Sequence, residues 1–146
     1  MIAVYSYAST LKGIEWSVKS DGYRTATIKF AGRFHTISRH VLVLFKETGK
    51  LFDNVDHINN IPGDDRPENL RGSTVCQNQY NSKLRTDNKS GVKGVSWDKS
   101  RGKWRAQIRF EGRKINLGSF DNIEDAKQTV ESARARLHKE FANNGF

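Results

Sequence analysis

The last third of the chain carries two regular hydrophobic patterns in succession, which restrict its fold to a sheet packed on a helix. Apolar residues alternate with polar ones over 104–110, and Ile115 and Leu117 of the next strand are predicted to face inward. Asp121 and Glu124 then predict a helix start. The helix has apolar residues at helical spacing: Ala126, Val130, Ala133, Leu137 and Phe141. These patterns indicate a two-layer unit of three antiparallel strands and one helix.

The first half of the chain mixes strand and helix signals. Residues 14–37 are predicted to form short antiparallel strands, with turns at Asp21-Gly22 and Ala31-Gly32. A helix is then indicated, with Gly49 as its end, because apolar residues recur at helical spacing. Those residues are Ile37, Val41, Leu44 and Phe45. Turn-forming residues within 51–72 favour a long hairpin loop, and 75–84 is predicted to be helical.

A polar linker is predicted at 87–91, because the stretch from Arg85 to Gly91 contains no apolar residue. The linker divides the chain into an N-terminal domain of residues 1–86 and a C-terminal domain of residues 92–146. The predicted fold class is α+β.

The charge and composition of the chain indicate which class of partner it binds. Lys and Arg total 25 against 16 Asp and Glu, and a net charge of +9 indicates a polyanionic partner, most simply nucleic acid. The alternative is an ordinary basic protein. No apolar run is long enough to span a membrane, and no secretory signal is recognisable. A single cysteine, Cys76, excludes an internal disulfide and favours a reducing, cytoplasmic compartment.

One cluster of polar residues has the composition of a hydrolytic metal site. Asp56 and His57 are followed by Asn69 and then by Asn78, all within about two dozen residues. Phosphodiester hydrolysis needs a base to deprotonate water and hard oxygen ligands for a divalent ion. Adjacent strand residues face opposite ways, so Asp56 and His57 can act together only if the strand bends or ends there.

The segments Val55-Asp56-His57-Ile58-Asn59, Glu68-Asn69-Leu70-Arg71 and Gln77-Asn78 closely resemble the HNH endonucleases, whose fold is the ββα-metal motif. The resemblance implies that His57 is the general base. It also implies that Asp56 and Asn78 hold one divalent ion, Mg²⁺ or Mn²⁺, in each active site.

Two further residues near the motif have more limited roles. Asn69 matches the family's middle asparagine in the catalytic centre, where the resemblance implies that it braces the hairpin loop through backbone hydrogen bonds. His40 lies where relatives carry a histidine before the motif, but its neighbours differ. It is either a packing histidine or a residue that contacts the phosphate or supports a residue of the active site.

Residues 92–141 resemble the APETALA2-type (AP2, ethylene-response-factor) domain. The matching residues are Gly94-Val95, Gly102-Lys103-Trp104, Ile108-Arg109, Leu117-Gly118-Ser119-Phe120 and the helix from Glu124. Such domains lay the sheet in the DNA major groove. The resemblance and the outward face of the strands together predict these DNA contacts: Lys93, Lys103, Arg105, Gln107, Arg109, Lys114 and Asn116.

Departures from the AP2 pattern affect the expected DNA target sequence rather than the expectation that the domain binds DNA. Ser96 and Asp98 replace family arginines, and Arg101 is predicted to compensate. We therefore expect duplex DNA binding at a different sequence. A solvated basic sheet face is the alternative. Trp97 and Trp104 could stack on bases, although Trp104 shares its face with core residues.

Together the two resemblances imply a phage-type HNH homing endonuclease acting on double-stranded DNA in the host cytoplasm. The expected fold is a ββα-metal (HNH) nuclease module preceded by short antiparallel strands and followed by a three-stranded antiparallel sheet packed on one helix. No small-molecule cofactor and no membrane partner are expected, and a monomer is slightly favoured. The alternatives are a non-cutting DNA-binding regulator with an inert HNH fold, and an RNA-binding or architectural protein.

Overall fold

A computed structural model describes residues 1–145 of the chain. Backbone contacts divide the chain into two compact units, one covering Met1–Thr74 and the other beginning at Val75. The division falls earlier than the predicted linker at 87–91. Ser90, in the predicted linker, hydrogen-bonds through Oγ to the carbonyl oxygens of Val92 and Val95, so the predicted linker is tied to the C-terminal unit.

The N-terminal unit combines two helices with a three-stranded and a two-stranded antiparallel sheet. Its elements are helix α1 (Ile2–Thr10), strands β1 (Ser17–Val18), β2 (Arg24–Phe30) and β3 (Arg33–Ser38), helix α2 (Arg39–Thr48), and strands β4 (Asn54–His57) and β5 (Leu70–Ser73). The predicted N-terminal strands are present, and the order in their sheet is β1-β2-β3.

Helix α1 is an element that the sequence did not predict. Its buried residues are Val4, Tyr5 and Ala8. These three are too few to form a recognisable apolar stripe at helical spacing. These side chains join a core whose fully buried centre is Ile37 at the end of β3. The N-terminal unit therefore has its own hydrophobic core, built from α1, β2, β3 and α2.

Helix α2 begins and ends close to the predicted positions. Gly49 follows it in a left-handed conformation, with φ of 68°, and its N–H donates to the carbonyl oxygen of Phe45. The residue Leu42, outside the predicted stripe, is also buried. The helix leads into the β4–β5 hairpin, whose register pairs Asp56 with Arg71 and His57 with Leu70.

The C-terminal unit is a three-stranded antiparallel sheet, in the order β6-β7-β8, packed on one long helix. Its elements are helix α3 (Val75–Tyr80), strands β6 (Val95–Asp98), β7 (Lys103–Phe110) and β8 (Arg113–Phe120), and helix α4 (Ile123–His138). The α+β class and this sheet-and-helix architecture agree with the sequence prediction. Helix α3 ends four residues before the predicted boundary at residue 84.

Two details of this unit correct the prediction. Asn122, not Asp121, caps helix α4, and its side chain accepts a hydrogen bond from the N–H of Glu124. Ile115, predicted to face the core, is 37 % exposed. A bulge beside Ala106 shifts the pairing of β7 with β8, so the inward alternation does not extend evenly along β8.

Within residues 1–145, no helix combines the length and the apolar character needed to cross a bilayer.

Candidate active site and nucleic-acid interface

Asp56 and His57 are the last two residues of strand β4, and each is 4 % exposed. The N–H of Asn60 donates to the carbonyl oxygen of His57 across 2.9 Å and closes a turn. Asn60 has a positive φ of 56°, a conformation that asparagine tolerates better than most residues. The strand thus ends at the aspartate–histidine pair, as their joint action requires.

Asp56 is fixed by an arginine from the neighbouring strand. Arg71, its partner in the hairpin register, donates from Nε to Asp56 Oδ2 over 2.8 Å, and its Nη2 lies 2.8 Å from the same oxygen. A short charge-assisted contact of this kind limits rotation of the carboxylate. Asp56 is therefore a positioned, buried carboxylate rather than a mobile surface acid.

His57 is held by a second buried carboxylate, Asp65, whose side chain is 1 % exposed. The distance from His57 Nε2 to Asp65 Oδ1 is 2.8 Å. The other oxygen, Asp65 Oδ2, lies 3.1 Å from Arg39 and 3.6 Å from Arg24. In the sequence, Asp65 is one of the turn-forming residues within 51–72, and nothing in an acidic doublet within a loop distinguishes a buried residue from a solvated one.

His40 lies beside the base in a cluster of three rings. The ring centroids of His40 lie 5.2 Å from those of Tyr23 and of His57. The pKa of His40 is lowered to about 4, mainly by burial and also by the proximity of His57, while Asp65 opposes both effects. The structure places the His40 ring in contact with the ring of His57, so His40 packs beside the proposed base, and a contact with phosphate stays a prediction.

Asn69 braces the loop that carries Asp65. Its side-chain oxygen accepts from the N–H of Asn59, and its amide donates to the carbonyl oxygen of Asp64 over 2.8 Å. It also donates to the side chain of Asn59. The residue ends a single 3₁₀ turn, Pro67–Asn69, and is buried. These contacts fit the loop-bracing role that the resemblance implies.

Two sets of residues offer ligands to a divalent ion. The carboxylate of Asp56 and the amide oxygen of Asn78 are hard donors of the kind that Mg²⁺ and Mn²⁺ prefer. Asn78 lies on helix α3, in the C-terminal unit, so its pairing with Asp56 stays a prediction. Ligand atoms of His40, His57 and Asp65 all lie within 4.8 Å of one another.

The C-terminal unit carries most of the positive charge. From Val75 to the end, fifteen Lys and Arg stand against eight Asp and Glu, which is +7 of the total +9. The strand register places one polar face of the sheet opposite the core. That face contains Ser96, Asp98, Lys103, Arg105, Gln107, Arg109, Lys114 and Asn116.

Some charged residues of this face already have an ion-pair partner within the described part of the chain, and others do not. Lys103 lies 3.1 Å from Asp121, and Asp98 lies 3.9 Å from Arg101 in the turn between β6 and β7. By contrast, Arg105 Nε is buried and has no hydrogen-bond partner within residues 1–145. A buried donor without a partner costs free energy.

Lys93 differs from its predicted role. Its ammonium group donates to the carbonyl oxygens of Tyr80, Ser82 and Asn143. An ammonium has three donors, and these contacts use all of them. The pKa of Lys93 is lowered to about 8, mainly by burial and also by the nearby charge of Arg134. Lys93 therefore ties chain segments together within its unit, and we do not retain it as a DNA contact.

The two tryptophans of the sheet pack edge to face, with ring centroids 5.0 Å apart. Trp104 is partly buried against the core of the unit, whereas Trp97 is 48 % exposed. Trp104 thus contributes to packing, as its shared face with the core residues predicts.

Both the segment that contains Asp56 and His57 and the C-terminal sheet-and-helix segment match known protein families. Residues 38–80 match the HNH endonuclease model, and residues 90–140 match the AP2 domain model. Protein 3.8 of Escherichia phage T7 is 38 % identical over 88 residues, which cover 60 % of this chain and 72 % of that protein. The chain belongs to the family of this phage protein. Its predicted resemblance to HNH endonucleases and AP2 domains is confirmed, and no solved structure matches it.

Proposed function

We propose that this family member is a metal-dependent DNA endonuclease of the homing type. The observation that carries the proposal is the buried pair Asp56 and His57 at the end of β4, inside the HNH segment. The basic sheet face of the AP2 segment also supports the proposal, because it provides a positively charged surface for a polyanion such as DNA.

His57 acts as the general base in this proposal. Its imidazole takes a proton from water, and the resulting hydroxide forms a bond to phosphorus. The bond from phosphorus to the 3′ oxygen breaks, and the leaving oxygen takes a proton from solvent. A Mg²⁺ or Mn²⁺ ion would stabilise the negative charge on the phosphate. Asp56 and Asn78 would hold that ion, one per active site, in a ββα-metal arrangement, while Asn69 keeps the loop in place.

The sheet face is proposed to bind duplex DNA in the major groove. Arginine can donate twice to guanine, and glutamine can hydrogen-bond adenine, so Arg105, Gln107 and Arg109 are the candidates for base contacts. The remaining contacts on and beside this face are Arg101, Lys103, Lys114 and Asn116. Binding by the sheet holds the nuclease centre near its target at raised local concentration.

The functional domains are proposed to be residues 1–86 and 92–146, joined at 87–91. This division is compatible with the edges of the two family matches at residues 80 and 90. We further propose that the protein acts in the cytoplasm of the host cell, where its duplex DNA substrate is found, and that it acts as a monomer.

A cleavage assay on a pool of plasmids tests the function. Cutting should require Mg²⁺ or Mn²⁺ and should stop in EDTA. His57→Ala should cut roughly 10²–10⁴-fold more slowly at unchanged DNA affinity, because only the proton acceptor is lost. The control is His35→Ala on β3, which should cut normally. Binding without cutting under every metal condition would favour the non-cutting regulator instead.

A further inference from the structure

Asp65 lies in a loop but is as buried as a core residue. Its side chain is 1 % exposed, and it contacts three elements: His57 at the end of β4, Arg39 on α2 and Arg24 on β2. The side chain of Arg24 also donates to the carbonyl oxygen of Gly63, two residues before Asp65. The loop is thus anchored at Asp65 and at Gly63 just before it, which holds the carboxylate against the imidazole.

The contact of 2.8 Å between Asp65 Oδ1 and His57 Nε2 has a chemical consequence. A neutral imidazole carries one N–H, and an ionised carboxylate can only accept. The hydrogen therefore resides on Nε2 of His57, and Nδ1 keeps the lone pair. The hydrogen-bond partner of Nε2 thus determines that Nδ1 is the nitrogen that can act as a base.

We propose that Asp65 is the positioning residue of the general base: it holds His57 as the Nε2–H tautomer, so that Nδ1 takes the proton from the attacking water. This inference rests on the proposed function, since it assigns the atom that performs the proposed base catalysis. Asp65 itself touches neither water nor phosphate in this scheme. Its effect passes through the orientation and tautomer of His57.

A metal-binding role for the same residues is less compatible with the charges around them. His40, His57 and Asp65 could in principle share an ion, because their ligand atoms are close. However, the guanidinium groups of Arg39 and Arg24 lie 3.1 and 3.6 Å from Asp65 Oδ2 and already balance its negative charge. With His57 at Oδ1 and both arginines at Oδ2, each oxygen of Asp65 already has a partner, and the hydrogen bond from His57 is part of this arrangement.

The variant Asp65→Asn tests the proposal with little change of shape. An amide has one acceptor oxygen, and the two arginines need it, so its NH₂ group would face His57 Nε2. Nε2 would then have to accept, and His57 would switch to the Nδ1–H tautomer. Asp64→Asn is the matched control, because Asp64 contacts Arg66 and Asn59 instead.

The first readout is the imidazole ¹⁵N–¹H NMR correlation of His57 in the full, metal-free chain at a pH where the ring is neutral. Wild type and Asp64→Asn should show Nε2–H, and Asp65→Asn should show Nδ1–H. The second readout is cleavage at saturating DNA with Mg²⁺, which should fall at least 100-fold in Asp65→Asn at unchanged DNA affinity. Unchanged core methyl signals, such as those of Ile37, would show that the variant is folded.

The outcomes separate this inference from the proposed function. An Nδ1–H tautomer in wild type, or Asp65→Asn with wild-type tautomer and cleavage rate, overturns the role of Asp65 and leaves the nuclease proposal standing. Coordination of His57 to one equivalent of Zn²⁺, lost in Asp65→Asn, also overturns it in favour of a metal cluster. Full cleavage by His57→Ala overturns the proposed function, and the role of Asp65 falls with it.

Discussion

Tyr80 and His138 stack face to face, with ring centroids 3.8 Å apart and ring planes within 2° of parallel. The hydroxyl of Tyr80 also accepts a hydrogen bond of 2.7 Å from the N–H of Glu111, in the β7–β8 turn. Tyr80 is the last residue of helix α3, which contains Asn78. The helix that carries a proposed metal ligand is thus anchored to the sheet and long helix of the C-terminal unit.

This anchoring predicts a stability effect of Tyr80. Tyr80→Ala should destabilise the C-terminal unit by about 3 kcal/mol, because it removes a buried aromatic ring. Tyr80→Phe keeps the stacking and should cost only about 1 kcal/mol, the contribution of one hydrogen bond. Urea unfolding followed by the fluorescence of Trp97 and Trp104 measures both. Equal stability of the two variants would show that the stacking contributes little.

The proposed metal ligands predict a shift in ion requirement. Asp56→Asn and Asn78→Ala should each raise the Mg²⁺ concentration needed for half-maximal cleavage. The loss of the charged ligand should have the larger effect, because a carboxylate attracts a divalent ion more strongly than an amide. Gln79→Ala, the exposed neighbour on α3, is the control and should resemble wild type. An unchanged Mg²⁺ requirement in Asn78→Ala would exclude it as a ligand.

The lowered pKa of His40 predicts that acid destabilises the N-terminal unit. The folded pKa is about 4 against 6.5 for an ordinary histidine, so between these pH values the unfolded state binds more protons. Stability should therefore fall as the pH is lowered from 6.5 towards 4. Each pKa unit corresponds to about 1.4 kcal/mol, which gives a loss on the order of 3 kcal/mol.

His40→Phe should remove most of this pH dependence, because phenylalanine keeps the ring and cannot bind a proton. Urea titrations followed by methyl NMR signals of Ile37 and Leu42, at pH 7 and pH 4.5, report on the core of the N-terminal unit. Carboxylates that titrate in both proteins change the free energy of unfolding equally, so the difference between variant and wild type reports on His40. The same acid sensitivity in both proteins would contradict the assignment.

The sequence predicted the elements whose patterns depend on local rules. The helical spacing up to Phe45 and the stop at Gly49 predicted α2, and the alternation around Ala106 and Ile108 predicted β7. The HNH motif located Asp56 and His57. What the sequence did not predict depends on tertiary contacts: α1 is defined by the core it joins, and Asp65 is buried by arginines from distant elements.

Lys93 illustrates the same limit within the predicted DNA contacts. Its position in the AP2 pattern indicated a DNA contact, but three carbonyl oxygens from two segments, residues 80–82 and Asn143, surround its ammonium group. A motif identifies residue type and spacing, and it does not reveal contacts made by chain segments outside the motif. The C-terminal segment around Asn143 is one of these.

The sheet face predicts two kinds of DNA-binding variant. Full-length protein carrying His57→Ala, which cannot cut in this scheme, is the background for gel-shift titrations at several salt concentrations. Arg109→Ala should weaken binding and relax sequence preference, at about 1–3 kcal/mol for a lost base contact. Lys103→Ala should weaken binding evenly across sequences and reduce the log–log salt slope by about 0.9, if it contacts one phosphate.

Lys127 provides the control for this set, because it lies on helix α4 rather than on the sheet face. Lys127→Ala removes the same charge as Lys103→Ala and should leave both affinity and salt slope close to those of the background protein. An equal loss of affinity in the two lysine variants would show that overall charge, not the sheet face, binds DNA. Unchanged sequence preference in Arg109→Ala would remove this arginine from the base contacts.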